Sequence, residues 1–374
     1  MEQDFSPPPL SVYIHIPFCL SKCGYCSFFS MPYHRLELDG YVACLQKEKE
    51  LYQDYLCQSL GTLYFGGGTP SLLSSQQINS ICENLDFVHG AEITLEINPL
   101  QITENFLDGL KTTPVNRLSL GLQSMNDADL VWLERKHRSA QIGDKINLCH
   151  SFGFSNLSLD LIYGLPGSNP DQLKRNLDEY IMLQPQHISC YLLSLEEDCL
   201  RFADACNLPD DDAAADQYDL IRTTLKQAGY HHYEISNFAL PGYESQHNLA
   251  YWHNNNYLAL GASAAGFVDN IRYFNPANLS EYYAGVQSGK RFPGSQPCDA
   301  QRQREDYLMM GLRLTEGIDE LDFKQRFGME IESVYGAKIG RLIKQGLLTR
   351  YSGKLAINEA ALFISSGVIA ELIL

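Results

Sequence analysis

Long hydrophobic runs are missing from this chain of 374 residues. No stretch reaches the ~18 consecutive apolar residues of a membrane helix, so no span is expected. The amino-terminal MEQDFSPPPL has no basic segment, no apolar core and no arginine-rich transit character, which points to a cytoplasmic protein. Positive charge is scarce: 28 Lys and Arg stand against 45 Asp and Glu, a net charge of -17. That balance argues against a nucleic-acid backbone as the main partner, and it would not attract an anionic lipid surface. A disulfide framework is also absent. Of eleven cysteines, Cys44, Cys57, Cys82, Cys149, Cys190, Cys199, Cys206 and Cys298 are scattered without pattern, as in reduced cytosolic proteins. There is no internal repeat. Hydrophobic residues, at 45%, are enough for a proper core.

Short apolar runs alternate with helical patterns. VYIHI (12–16), TLYF (62–65), ITLEI (93–97), RLSLG (117–121), LSLDL (157–161) and ISCYL (188–192) read as strands. Helices are expected near 37–58, 74–88, 102–111, 127–134, 140–152 and 171–184, two of them opened by Ser74 and by Pro170-Asp171. Six such units predict an α/β fold with a parallel sheet curved into a partial (β/α)6 barrel. Residues 1–235 would form this barrel. Residues 236–300 would connect it to a mostly helical, winged-helix-like domain at 301–374, with a hairpin near Ser352-Gly353. The Tyr-, Asn- and Gly-rich stretch 230–295 reads as irregular, and PDDDAAAD (209–216) as a solvated loop before a helix. The last segment carries ten basic and ten acidic residues from 301 onward, a poor footprint for duplex DNA.

The residues that bear chemistry follow the carboxyl ends of these runs: Cys19, Gly66-Gly67-Gly68-Thr69, Glu96, Gln123 and Asp160. In a β/α barrel such ends converge on one mouth. CLSKCGYCSFFS places Cys19, Cys23 and Cys26 together, with Phe28 where a fourth thiol might stand. Soft thiolates suit zinc or an iron–sulfur cluster. Zinc would need a fourth ligand, for which His15 and His34 are candidates. A cubane held by three cysteines keeps one iron open to a small molecule.

C-x3-C-x2-C after a first strand resembles the radical S-adenosylmethionine (SAM) superfamily. That resemblance implies a [4Fe–4S] cluster on Cys19, Cys23 and Cys26, with SAM on its open iron. It also implies SAM contacts from Tyr13, Tyr25, Gly67, Gly68, Thr69, Glu96, Gln123, Arg135 and Asp160. YIHIPFC, FGGGTP, EINP and DLIYGLPG are similar to the branch containing oxygen-independent coproporphyrinogen III oxidases. Those enzymes carry a further cysteine where this chain has Phe28, and a long amino-terminal extension, whereas eighteen residues precede Cys19 here. HNLAYW (247–252) resembles the H-N-x-x-Y-W motif of HemW-type haem chaperones. It implies haem as cargo near His247, Tyr251 and Trp252, and acceptor haemoproteins as partners, with membrane respiratory subunits among the candidates. An imidazole can ligate iron, and the two aromatic rings offer flat faces. A carrier role without oxidase turnover is the leading expectation. Radical oxidative decarboxylation of coproporphyrinogen is the alternative.

Overall fold

The computed structural model describes residues 8–197 and 199–374. Six parallel strands form its centre: β1 (Leu10–Ile16), β2 (Leu60–Gly67), β3 (Phe87–Ile97), β4 (Arg117–Gln123), β5 (Leu157–Tyr163) and β6 (His187–Leu192). They lie side by side in sequence order, the arrangement expected when each strand is followed by a crossover to its neighbour. β1 runs in register with β2 from Ser11 opposite Thr62 to Ile16 opposite Gly67. Most residues of these strands are buried on both faces, the pattern of a parallel sheet with helices outside and a filled interior.

Local chemistry fixes the covering helices. Ser74 and Gln77 close a reciprocal capping box at the start of α2 (Ser75–Cys82), which follows α1 (Arg35–Leu51). Asn169, one residue before the expected start, caps α6 (Pro170–Met182), with Pro170 in its first turn. Between them run α3 (Glu104–Leu110), α4 (Asp127–Trp132) and α5 (Ile142–Ser151). The acidic stretch is mostly helix rather than loop. Asp210 caps α7 (Asp211–Gln227), and Asp211 and Asp212 occupy its first turn, where carboxylates favour the helix dipole.

The stretch 230–295, expected to be irregular, extends the sheet instead. β7 (His231–Glu234) and β8 (Asn237–Ala239) add to β6, with β8 antiparallel to it. β9 (Tyr257–Leu260) pairs parallel to β1, and β10 (Ala265–Val268), β11 (Ile271–Phe274) and β12 (Gln296–Pro297) continue outward. Helices α8 (Gln246–Trp252) and α9 (Leu279–Gln287) lie in the same stretch. These strands have two to four residues and gain their order from the neighbour they pair with, so periodicity alone does not reveal them. One local signal was present: Asp269 and Asn270 both have positive φ, at 49° and 60°. That is the two-residue turn favoured between antiparallel strands.

The twelve-stranded sheet stays open, with β12 and β7 at its edges. The β7 edge is covered by a bridge from Glu234 to Leu314, which ties the carboxy-terminal part to the barrel. That part holds α10 (Ala300–Gly311), α11 (Glu320–Phe327), α12 (Glu332–Lys344) and α13 (Ser365–Ile373). β13 (Ile318–Asp319) joins the hairpin β14 (Leu348–Tyr351) and β15 (Lys354–Ile357), which turns at Ser352-Gly353. Among the described residues no helix is long and apolar enough to cross a membrane.

Candidate functional site

The cysteine loop leaves β1 at Ile16 and is pinned at its base. Met31 N–H donates to Pro17 at 2.7 Å, and Tyr33 N–H donates to Cys19 at 2.8 Å. On the far side, Arg201 N–H donates to Gly24 at 3.0 Å, and the Cys199 thiol donates to the Tyr25 carbonyl at 3.2 Å. The loop presents Cys19, Cys23 and Cys26 half-buried and unpaired. Thr69 Oγ1 reaches Cys19 Sγ at 3.5 Å, and Arg135 Nη1 reaches Cys23 Sγ at 3.8 Å. Burial, and then the neighbouring Cys23 and Cys19, push the Cys26 thiol up, against a backbone hydrogen bond at Phe28. Three soft thiols on one loop, with Cys23 and Cys19 close enough to Cys26 to raise it, are a donor set suited to an iron–sulfur cluster, although among the described residues no three such groups are gathered closely enough to hold a single metal ion. His15, the candidate fourth zinc ligand on β1, has its ring engaged on both sides, by Tyr13 OH at 3.1 Å and the Phe29 carbonyl at 3.1 Å.

The glycine run is demanded by close packing. A Cβ on Gly68 would stand 2.8 Å from the Phe18 carbonyl oxygen, and one on Gly67 would stand 2.6 Å from the His15 ring. Gly67 also has φ +113°, which favours glycine. The turn consequently lies against the loop that carries the cysteines, and Gly68 N–H donates to Ile16 at 2.8 Å.

Below the loop is a cavity of about 470 Å³ lined by Cys19, Cys23, Tyr25, Cys26, Gly67, Gly68, Thr69, Glu96, Gln123, Arg135 and Asp160. That size is typical of a small-molecule site. Tyr13 does not line it. Its hydroxyl lies against His15, and its ring stacks 6.1 Å from Tyr64, placing it one layer behind. Tyr64 OH donates to Glu96 Oε1 at 2.9 Å, and Gly67 N–H donates to Oε2 at 3.2 Å. Burial and then the Asp160 charge push Glu96 up to about 7, although Tyr64 and Gly67 oppose this. Burial pushes Asp160 up to about 6, against Ser189, Arg117 and Arg135. Burial lowers the Arg135 guanidinium, but Tyr25 and Cys23 outweigh it and the net shift is upward. Gln123 has φ +70° at a register irregularity between β4 and β5. Such a bulge can re-aim a side chain beside a site.

Sequence reasoning missed Tyr64, Arg117, Ser119, His187, Ser189, Tyr191 and Asn248, all of which line the cavity. The signal was present in the alternation of strand residues. Arg117, Ser119, Gly121 and Gln123 are every second residue of β4, and His187, Ser189 and Tyr191 are every second residue of β6. A period of two puts each set on one face of its strand.

HNLAYW forms α8 and lies beside this cavity, with Asn248 reaching it. His247 is 1% exposed. Its Nδ1 pairs with Thr62 Oγ1 at 2.7 Å and its Nε2 with Tyr251 OH at 2.8 Å. Burial, and then Arg117, lower its pKa to about 3, so the ring is neutral. The ring stacks on Tyr64 with centroids 5.0 Å apart. Trp252 lies under the Arg313 guanidinium at 4.5 Å. The amino end of α8 is held by Glu92, which accepts from Gln246 N and His247 N, both at 3.1 Å, and from Ser245 Oγ at 3.3 Å. As folded, both His247 nitrogens are taken, and neither faces an open space where iron could bind.

Comparison with known proteins agrees with this architecture. Residues 13–179 match the Radical SAM superfamily, and residues 299–364 match the HemN C-terminal domain. The heme chaperone HemW of Lactococcus lactis (strain IL1403) is 34% identical over 374 residues, covering 98% of each chain. That of Escherichia coli (strain K12) is 33% identical over 371 residues, covering 96% of this chain and 97% of its own. Among solved structures, coproporphyrinogen III oxidase (HemN) from Escherichia coli, a radical SAM enzyme, has a similar fold. Its TM-score is 0.86 at 23% identity, covering 98% of this chain and 90% of that one.

Proposed function

The chain belongs to the radical SAM superfamily and within it to the haem chaperone HemW family, and from that premise we propose that it takes up haem and passes it to acceptor haemoproteins. The observation that carries this reading is its sequence match to those chaperones along nearly the whole of both chains. Cys19, Cys23 and Cys26 would hold a [4Fe–4S] cluster. Tyr25, Gly67, Gly68, Thr69, Glu96, Gln123, Arg135 and Asp160 would receive SAM, with Tyr13 supporting them from behind. When bound, the cluster supplies an iron free of protein ligands and SAM supplies a sulfonium able to accept an electron.

The chain's own groups prepare for that charge. Glu96, lifted to about 7, is partly protonated near neutral pH and gives up its proton when a cation enters, since a nearby positive charge favours the carboxylate. Asp160, at about 6, is already mostly ionised there. Arg135 Nη1 lies 3.8 Å from Cys23 Sγ, where its guanidinium would balance the charge of a cluster-bound thiolate. Haem ligation by His247 would first require its bond to Tyr251 to open. The protein would pass haem on in the cytoplasm, with membrane respiratory subunits among its acceptors.

The test is anaerobic reconstitution with iron and sulfide, followed by titration with hemin. A shifted Soret band and co-elution of haem with protein are expected. Their absence overturns the chaperone reading. The oxidase alternative draws on the complete polar cavity. Formation of protoporphyrinogen from coproporphyrinogen, SAM and reductant would establish it in place of a carrier.

A further inference from the structure

Resting on the reading of haem as cargo, we infer that the mouth of the barrel is where the porphyrin is held, by its apolar face and its two propionates rather than by an iron–histidine bond. Leu20, Phe28, Leu100 and Leu192 are exposed by 64%, 68%, 43% and 43%, and all four line the same cavity. Two sit on the cysteine loop, one follows β3 and one ends β6, so apolar surface is offered from several sides of the opening. Grouped exposed apolar side chains mark a binding surface more often than scattered ones do. The position without the fourth thiol is itself occupied by one of them, Phe28.

Charge at the same opening matches a dicarboxylate. Lys22 and Lys136 line the cavity and are exposed. Among the described residues neither lies within ion-pair distance of a carboxylate, whereas the neighbouring Glu134 is held by Arg201 at 3.1 Å. In a chain of net charge -17, two uncompensated lysines beside an apolar rim suit a flat apolar ring with anionic tails. The polar floor, with Glu96 and Asp160, lies deeper and is left to the cofactor. α8 offers no comparable face, because His247 is enclosed and both of its nitrogens are bonded.

The experiment uses the full reconstituted chain and two probes, hemin followed by its Soret band and iron-free protoporphyrin IX followed by fluorescence. Both should bind within about threefold of each other, because recognition of the ring and propionates does not need iron. The pairs Leu20→Glu with Phe28→Glu, and Lys22→Glu with Lys136→Glu, should each weaken both probes by about tenfold or more. The lysine effect should shrink in high salt. Met182→Glu, which removes an equally exposed apolar side chain away from the mouth, should change nothing. Iron and sulfide content reports whether the loop variants keep their cluster. If the first pair loses it, Leu100→Glu with Leu192→Glu decides in its place. Hemin binding without protoporphyrin IX binding, or unchanged affinity in the mouth variants, overturns the inference while leaving the chaperone reading intact. Failure of the parent chain to bind hemin overturns the chaperone reading itself.

Discussion

Two neighbouring regions use nearly the same residue types and reach opposite ends. Around α8, Glu92, His247, Thr62, Tyr251 and Ser245 satisfy one another, and the region is closed. In the cavity, Glu96, Asp160, Arg135 and three thiols line open space, and Arg117 joins the two regions, lining the cavity while its Nε lies 3.8 Å from Glu92 Oε2. A buried polar group with its partners in place contributes to stability, whereas one facing a void is available to a ligand. The difference explains why the histidine of HNLAYW is bonded like a structural residue, while a plain strand-end glutamate is poised to titrate.

The comparison breaks most completely at the sulfurs. Replacing Cys19, Cys23 and Cys26 by Ala should abolish the cluster's visible absorption and its bound iron and sulfide, with hemin binding retained. Loss of both would mean that the loop is structural. Next in size, His247→Ala should cost about 3 kcal/mol in urea unfolding, from a packing void and two orphaned hydroxyls. Tyr251→Phe should cost about 1 kcal/mol by freeing only Nε2. A neutral effect of His247→Ala would show that α8 is not the closed region described.

The cavity carboxylates give a smaller, pH-dependent effect of known sign. Glu96 titrates near 7 in the fold and near 4.3 in an unfolded chain, so the native state binds the extra proton. Stability from this group is fully present below the unfolded value and is lost as pH rises through about 7. Glu96→Gln should therefore flatten the fall in Tm of the cofactor-free protein between about pH 4.5 and 7, by roughly 2–4 °C, and should weaken SAM in calorimetry. An unchanged pH profile would place Glu96 outside the void. The smallest effect should come from the solvent-facing Lys174–Asp178 pair on α6. Lys174→Ala should shift unfolding by at most about 0.5 kcal/mol.

Much of the site could be read directly because strand ends, cysteine spacing and glycine turns are local signals. Cys19, Gly67, Glu96, Gln123 and Asp160 each follow a short apolar run, and the parallel order of β1 to β6 brings them together. Arg117 and Tyr64 were harder, since a polar residue inside a strand looks unremarkable until the inner face of the barrel is known. The strands from 231 to 297 were harder still. With two to four residues each, they exist because β1 and β6 offer unpaired edges.

The sequence by itself determined the six βα units, the three-thiol loop and the identity of the groups at the barrel mouth, because each is encoded within a few consecutive residues. Only the tertiary structure decided which histidines and carboxylates are spent on one another and which face the cavity. That choice depends on partners such as Glu92 with His247, or Thr62 with His247, which lie 155 and 185 residues apart in the chain and meet only when the sheet is assembled.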